Sequence, residues 1–324
     1  MRKISLFVSL CLAILTFAIV LVPIGAIAEY PTKPVVSIVP FSAGGGTDMV
    51  GRTLASVIHK YLGQPFVVVN KPGVSGTVGA AYVVKSKPDG YTLGYFGSMA
   101  ATPEVFTKYF KTDYISEDLI PVAQWTGYPP VYIASAKKPF KTLKEFFDYA
   151  RKTDEVLFAT RGVGQTTALA LQLVLDEEKV TNVKAVPFKG DSKIIAAILG
   201  GHADIGCVTF NVAAPLIKAG KITGLSLATD NTIEEFPDIP NLFSLGYNTG
   251  IRQLYLGAFV PKGTPPEIVA KLEKAIESAT QDKSFKSMMK KMNMPIIYKS
   301  GEELGKLRQE IKQTYRDLQK KGMF

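Results

Sequence analysis

Residues 35–63 read VVSIVPFSAGGGTDMVGRTLASVIHKYLG and predict a β-strand, a glycine-rich turn and an α-helix in direct succession. The run Val35–Val39 is short and apolar, as in a buried strand of a parallel sheet. Apolar side chains recur at helical spacing after the turn, where we expect Thr47 or Asp48 as N-cap and Gly63 as the stop. Because backbone N–H groups and the positive end of the helix dipole both face such a turn, the stretch predicts an anion site.

The glycine run Gly44–Gly46 matches neither of the common nucleotide-binding motifs. A P-loop needs Lys followed by Ser or Thr after its last glycine, whereas Thr-Asp follows here. The run also lacks the G-x-G-x-x-G spacing of a dinucleotide-binding turn. Two interpretations stay open from this stretch alone. One is a tight strand–helix connection without a ligand; the other, which we favour, is a site for a small carboxylate.

The first 28 residues have the composition of a secretory signal peptide. A basic pair and the uncharged run 4–21 lead to Ala-Ile-Ala at 26–28, which predicts cleavage after Ala28. An uncleaved membrane anchor is the alternative. We expect cleavage, because polar Glu29 follows directly, and therefore a protein exported to the periplasm.

The chain is basic, but it has no nucleic-acid-binding module and no basic stripe with stacking aromatics. The chain has 324 residues, with 38 Lys and Arg against 28 Asp and Glu and a formal net charge of +10. Removal of the leader and its two basic residues leaves 296 residues, enough for two lobes, and a charge of +8. A positive charge gathers anionic solutes at the surface. Cys207 would be the only remaining cysteine, and we expect a buried, inert thiol.

The sequence contains none of the residue constellations of common enzymes. No G-x-S-x-G motif occurs, and no Cys, His or acidic cluster has metal-ligand spacing. The two histidines, His59 and His202, occupy positions that predict surface side chains. We therefore expect neither catalysis nor a bound metal or cofactor.

Strand-like and helix-like segments alternate along the chain, which is typical of an α/β fold with mostly parallel sheets. A second glycine-bearing turn, RGVGQTT at 161–167, lies between a strand at 156–160 and a helix at 168–175, and so repeats the order of the opening stretch. Capping boxes predict three helix starts, at Thr142–Glu145, Thr264–Glu267 and Ser300–Glu303.

Six segments carry a resemblance to a known family: residues 31–48 (PTKPVVSIVPFSAGGGTD), 62–98 (LGQPFVVVNKPGVSGTVGAAYVVKSKPDGYTLGYFGS), 186–190 (VPFKG), 199–206 (LGGHADIG), 217–222 (IKAGKI) and 260–265 (VPKGTP). Their order resembles the tripartite tricarboxylate transporter solute-receptor family, also called Bug-type binding proteins. The resemblance implies a periplasmic-binding-protein-like fold of type II, with two lobes of mostly parallel sheet flanked by helices and a ligand cleft between them. We expect a discontinuous lobe 1 at 29–125 and 252–324, and lobe 2 at 126–251.

The resemblance also implies a function. The protein is expected to capture a small organic carboxylate, such as a di- or tricarboxylate or a related acid, between its lobes. It would deliver the ligand to the membrane permease of a tripartite tricarboxylate-type secondary transporter. The alternative is a receptor that presents its ligand-bound state to a membrane sensor kinase. No cofactor is implied, and we expect a monomer.

In the family, the turns of the two lobes hold the ligand carboxylates, partly through backbone N–H groups and water. The positions of this chain that match those turns are, in lobe 1, Phe41, Ser42, Ala43, Gly44, Gly45, Gly97 and Ser98 and, in lobe 2, Arg161, Gly162, Gln165, Thr166 and Thr167.

Further candidates have two interpretations each. Asp48 orients a ligand group or, as we favour, completes the turn at the helix start. Lys189 reaches the cleft or is a solvated surface residue. Asp204 contacts the ligand or, as we favour, accepts hydrogen bonds at the start of a strand. Phe188, like Phe41, lines the ligand site or belongs to a core.

Arg161 departs from the family pattern, because relatives usually have small polar residues there. Two other departures are Ala168 in place of histidine and Phe188 in place of tyrosine. A guanidinium group can bind a carboxylate through two parallel hydrogen bonds. We therefore hypothesise that Arg161 forms a salt bridge with a second carboxylate of the ligand.

Overall fold

The computed structural model describes residues 30–162, 164–252, 254–320 and 322. The predicted signal peptide and its cleavage site lie outside the described residues. The fold is formed within Lys33–Phe324. Within the described ranges, no helix has the length and apolar character needed to cross a membrane.

The described part of the chain contains eleven strands. In chain order they are β1 (Val35–Val39), β2 (Phe66–Asn70), β3 (Thr92–Gly97), β4 (Leu119–Gly127), β5 (Pro130–Ser135), β6 (Val156–Thr160), β7 (Val183–Pro187), β8 (Ile205–Thr209), β9 (Ile222–Leu227), β10 (Tyr255–Pro261) and β11 (Lys299–Ser300). They form a six-stranded sheet of order β11-β4-β10-β3-β1-β2 and a five-stranded sheet of order β7-β6-β8-β5-β9.

Helices connect and cover these strands. They are α1 (Gly46–Leu62), α2 (Thr77–Val84), α3 (Ser98–Ala101), α4 (Leu143–Ala150), α5 (Thr166–Glu177), α6 (Asp191–Leu199), α7 (Phe210–Lys218), α8 (Pro266–Gln281), α9 (Lys283–Lys291) and α10 (Gly301–Lys320). We call the six-stranded sheet with its helices lobe 1, and the five-stranded sheet with its helices lobe 2.

The predicted two-lobed α/β fold is confirmed, and both sheets are mixed rather than mostly parallel. Strand β1 pairs in parallel with β2 and β3, and β6 pairs in parallel with β7 and β8. The remaining pairs are antiparallel, and they involve β4, β5 and β10. Strands β4 and β5 flank the first place where the chain passes from one sheet to the other, and β10 follows the second such place. The predicted lobe boundaries at 125/126 and 251/252 stay a prediction.

Three inner strands of the two sheets are fully buried. Every residue of β5, β8 and β10 is buried, as expected for inner strands covered on both faces. In lobe 1, Trp125 stacks on Tyr95 with ring centroids 4.0 Å apart.

In lobe 2, Cys207 lies buried in β8, and burial raises the pKa of its thiol to about 12. The expected burial of this thiol is confirmed, and its inertness stays a prediction.

The structure confirms two of the three predicted capping boxes. Thr142 and Glu145 cap α4 reciprocally, and Ser300 and Glu303 exchange the same pair of hydrogen bonds at the start of α10. The third prediction is wrong. Pro265 is the N-cap of α8, and the Thr264 hydroxyl donates to the Pro261 carbonyl instead.

Helix α1 begins two or three residues earlier than predicted. Its N-cap is Gly45, without a side-chain hydrogen bond, so neither Thr47 nor Asp48 has the predicted capping role. Its end agrees with the prediction: Gly63 has φ of 83°, and its N–H donates to the His59 carbonyl. The N-terminus of α1 therefore depends on groups from elsewhere in the chain.

Candidate ligand-binding site

Two adjoining cavities lie between the lobes. The first, which we call the inner chamber, has a volume of about 30 Å³ and is lined by Phe41, Ser75, Gly97, Ser98, Met99, Ala100, Tyr128, Arg161, Gln165, Thr166, Thr167, Leu254, Tyr255 and Leu256. The second, the outer chamber, has a volume of about 440 Å³ and is lined by Pro40, Phe41, Gly73, Val74, Ser75, Gly76, Tyr109, Phe110, Arg161, Gly162, Gly164, Pro187, Phe188 and Lys189. Phe41, Ser75 and Arg161 line both.

Helix α5 begins at the inner chamber. Gln165 is its N-cap, and Thr166 and Thr167 are its first residues, so its first-turn N–H groups have no acceptor within the helix. The hydroxyl of Ser98, from the start of α3, lines the same chamber from lobe 1. The chamber therefore combines backbone and hydroxyl donors from both lobes, which is the kind of surface that replaces the hydration of an anion.

Arg161 is buried at the junction of the chambers. Its guanidinium carbon lies 5.1 Å from the ring centroid of Phe41 and 5.0 Å from that of Tyr128. Its Nε lies 3.5 Å from Oδ1 of Asp191, a residue that sequence reasoning did not select. The guanidinium charge thus has an internal carboxylate partner and two aromatic rings within cation–π distance.

Asp191 itself joins the two lobes. Its Oδ2 accepts hydrogen bonds from the Thr209 hydroxyl at 2.8 Å and, across the cleft, from the backbone N–H of Gly46 at 3.1 Å. Gly46 is the first residue of α1, where the positive end of the helix dipole favours an anion. The carboxylate at the predicted anion site is therefore supplied by the protein.

After Phe41, the opening turn lines neither chamber and instead contacts lobe 2. The N–H and hydroxyl of Ser42 both donate to the Lys189 carbonyl, at 3.1 and 2.9 Å. The Ala43 carbonyl lies 3.5 Å from the Ser192 hydroxyl. Gly44 donates within its own turn, and Gly45 packs against Asp191. Ser42, Ala43 and Gly45 thus form part of the contact between the lobes beside the chambers, whereas Gly44 bonds only within its own turn.

Asp48 takes part in the hydrogen bonding of the same turn. Its carboxylate accepts from Gly44 N at 2.9 Å, from Asn70 Nδ2 at 2.8 Å and from Arg52 Nε at 3.0 Å. Burial alone would raise its pKa, but the hydrogen bonds from Arg52, Gly44 and Asn70 outweigh burial and hold the pKa below the usual 3.8. Asp48 therefore stabilises the turn in its ionised form.

The remaining candidates lie at three different places. Asp204 forms an ion pair with Lys138 and accepts from Leu157 N at 2.8 Å, away from both chambers. Phe188 is half-buried, lines the outer chamber and also packs against the lobe 2 core. Lys189 is exposed at the rim of the outer chamber. Gly97 lines the inner chamber and Gly162 the outer one.

Hydrogen bonds across the cleft hold the lobes in contact. The Tyr315 hydroxyl, from α10, lies 2.7 Å from the Thr166 hydroxyl and 3.5 Å from that of Ser98. Burial raises the pKa of Tyr315 to about 12, so its phenol is neutral at physiological pH. Gln165 Nε2 donates to the Ser75 carbonyl at 3.2 Å. These contacts describe a closed arrangement of the lobes.

Close backbone approach across the cleft requires glycine at two positions. Gly162 has φ of 153°, and a Cβ there would overlap the Ser75 hydroxyl. A Cβ at Gly46 would overlap Thr209 and the Asn211 amide. The glycines of both turns therefore serve lobe contact as well as turn geometry.

The residues at or beside the chambers that sequence reasoning missed include Ser75, Tyr128, Asp191, Tyr255 and Tyr315. A signal existed for Asp191, because it directly follows the VPFKG segment, where the structure begins helix α6. Ser75 and Tyr315 had no local signal, since their roles depend on contacts with lobe 2. Among the described side chains, no group of three or more His, Cys, Asp or Glu is arranged to hold a metal ion.

Comparison with known proteins identifies relatives of both sequence and fold. Residues 50–323 match the sequence model of the tripartite tricarboxylate transporter family receptor, TctC. The chain is 30% identical to the protein BugT of Bordetella pertussis over 257 residues, which cover 79% of this chain and 78% of that protein.

Solved structures are similar over nearly their whole length. The periplasmic binding protein BugD superposes with a TM-score of 0.82 at 28% identity, covering 91% of this chain and 99% of that one. MatC of Rhodopseudomonas palustris, solved with bound malate, also gives a TM-score of 0.82 at 28% identity, covering 89% and 99%.

Proposed function

The chain belongs to the tripartite tricarboxylate transporter receptor family, and from this membership we propose that it is a periplasmic receptor that holds a small organic carboxylate between its lobes. Members of the family and the structural neighbours are binding proteins, and this chain is a binding protein rather than an enzyme.

One observation carries the proposal: hydrogen-bond donors of both lobes meet at the inner chamber. Thr166 and Thr167 open α5 on one side, and Ser98 lies on the other. A carboxylate that leaves water needs such donors to replace its hydration, and charge-assisted hydrogen bonds are among the stronger ones in proteins. The malate bound to MatC, at 28% identity, supports a carboxylate as the ligand class.

Binding would stabilise the closed arrangement of the lobes. A ligand in the inner chamber touches both lobes, so its full set of contacts exists only when the lobes are closed. We propose that the closed form is what a tripartite permease recognises, and that the receptor acts as a monomer after cleavage at Ala28. The similarity to the periplasmic protein BugD supports this location.

Ligand-induced thermal stabilisation tests the proposal. The full chain would be expressed with its leader, recovered from the periplasmic fraction, checked by mass spectrometry for a start at Glu29, and refolded to remove co-purified ligand. A carboxylate at ~100 times its dissociation constant should add about 2.7 kcal/mol to the free energy of unfolding. Shifts from amino acids or phosphate esters, with none from any carboxylate, would contradict the proposed ligand class.

Delivery to a permease needs a separate test. Cells that lack the receptor should lose uptake of the radiolabelled ligand and regain it with the wild-type gene. Unchanged uptake, together with loss of a transcriptional response to the ligand, would instead support the sensor-kinase alternative.

A further inference from the structure

We propose that the ligand is a monocarboxylate with a bulky apolar body of about aromatic-ring size, rather than a short dicarboxylate. This inference rests on the proposed carboxylate-binding function and specifies the class of acid. The carboxylate occupies the inner chamber and the apolar body extends into the outer one.

The outer chamber supplies the apolar surface. Its volume of about 440 Å³ lies in the range of small-molecule sites, and Val74, Phe110 and Phe188 are among its lining residues. Phe41, Ser75 and Arg161 line both chambers, so the two chambers adjoin, and in this proposal the ligand extends past these residues from the inner chamber into the outer one. A short acid such as malate or succinate leaves this apolar surface unused.

The charges in the site suit one ligand carboxylate. Arg161 is the buried cation of the inner chamber, and Asp191 lies 3.5 Å from its Nε. Hydrogen bonds from the Thr209 hydroxyl and from Gly46 N hold the Asp191 carboxylate in place. A second carboxylate of the ligand must therefore compete with the Asp191 carboxylate for Arg161. The other donors at the chamber, from Ser98, Thr166 and the start of α5, are neutral. Lys189 lies at the rim, where solvent weakens its attraction for a distal anionic group.

Backbone strain at Val74 supports a role for its side chain. Val74 has φ of 40° and Ser75 has φ of 57°, although β-branched residues rarely adopt positive φ. Such conformations persist where the surrounding structure enforces them, and they are frequent at ligand sites. Gly or Asn would fit this backbone better, but neither would present an apolar side chain to the outer chamber.

Calorimetric titration of the refolded protein tests the class of ligand. Phenylacetate and benzoate should bind at least tenfold more tightly than succinate and malate, because only they bury apolar area in the outer chamber. Equal or tighter binding of the dicarboxylates would overturn this inference and leave the carboxylate function intact. Absence of binding by every carboxylate would overturn both.

Val74→Asn tests the path of the ligand. Asn is tolerated at positive φ, so the variant should unfold at the same or a higher temperature than the wild type. Its affinity for phenylacetate should fall about threefold to tenfold, and its affinity for acetate, which does not reach the outer chamber, should not change. Val78→Asn is the matched control, since Val78 is an exposed valine like Val74 but lines neither chamber. Unchanged phenylacetate affinity in Val74→Asn, or an equal loss in Val78→Asn, would contradict the proposed path.

Discussion

The carboxylate of Asp191 in lobe 2 accepts a 3.1 Å hydrogen bond from the backbone N–H of Gly46, the first residue of α1 in lobe 1. The helix start that the sequence marks as an anion site is thus occupied by an internal anion. The same carboxylate lies beside Arg161, so one side chain both links the lobes and neutralises the cation of the ligand site.

Asp191→Asn should change stability and specificity together. The substitution leaves Arg161 buried without its carboxylate partner. The free energy of unfolding, measured by urea titration, should therefore fall by on the order of 3 kcal/mol. The freed guanidinium should raise the affinity for succinate. Asp204→Asn is the control, because Asp204 pairs with Lys138 at a partly exposed site within lobe 2. The same effect of both substitutions on stability and succinate affinity would contradict this account of Asp191.

Tyr315→Phe should weaken ligand binding more than it weakens the fold. The variant loses the hydroxyl contact with Thr166 across the cleft, which is worth about 1 kcal/mol to the closed form. Ligand affinity should fall about fivefold, and small-angle scattering should show a larger radius of gyration at subsaturating ligand. Tyr247→Phe is the control, since its hydroxyl donates to Glu178, away from both chambers. Equal affinities of the two variants would refute a closing role for Tyr315.

Gly162→Ala should block closure. The added Cβ would overlap the Ser75 hydroxyl, and the positive φ adds strain, so ligand affinity should fall at least tenfold. Gly201→Ala is the control: Gly201 also has positive φ, but its Cβ position is open. Both variants should lose about 1 kcal/mol of stability, and only Gly162→Ala should lose binding. Wild-type affinity in Gly162→Ala would show that the lobes need not approach this closely.

The stabilising effect of Asp48 should depend on pH. Its pKa in the folded protein lies below the usual 3.8, so the unfolded chain binds more protons and this contribution is fully present above pH 3.8. Unfolding free energies of wild type and Asp48→Asn should differ by a constant amount between pH 5 and 7. The difference should shrink as the pH falls below 3.8. A difference that stays constant down to pH 2 would contradict the assignment.

Local sequence signals predicted much of the fold because their causes are local. The opening strand, the end of α1 at Gly63, and the capping boxes at Thr142 and Ser300 each depend on residues within a few positions. Thr264 failed as a cap because its hydroxyl bonds back to the end of β10. The mixed pairing of the sheets was missed because β10 joins β3 and β4 from far along the chain.

The candidate site was less predictable, because its key contacts join distant residues. Arg161, Thr166 and Thr167 belong to the second glycine-bearing turn and were selected because that turn matches the family's ligand-binding turn, so their contact with the ligand stays a prediction. Asp191 lies 145 residues from Gly46 in the chain, and no spacing rule connects the two. The ligand contact expected of the turn at Ser42 and Gly44 stays a prediction, and the hydrogen bonds that the turn forms within the protein, with Lys189 and Asp48, had no local signal.

A crystal structure of the mature protein with phenylacetate would test the central claim most directly, namely that a carboxylate lies between the lobes in the inner chamber. The account predicts carboxylate oxygens within hydrogen-bond distance of the first-turn N–H groups of α5 and of the Ser98 hydroxyl, with the ring beside Val74 and Phe188. A carboxylate bound outside the inner chamber, for example at Lys189 with the ring in solvent, would contradict it.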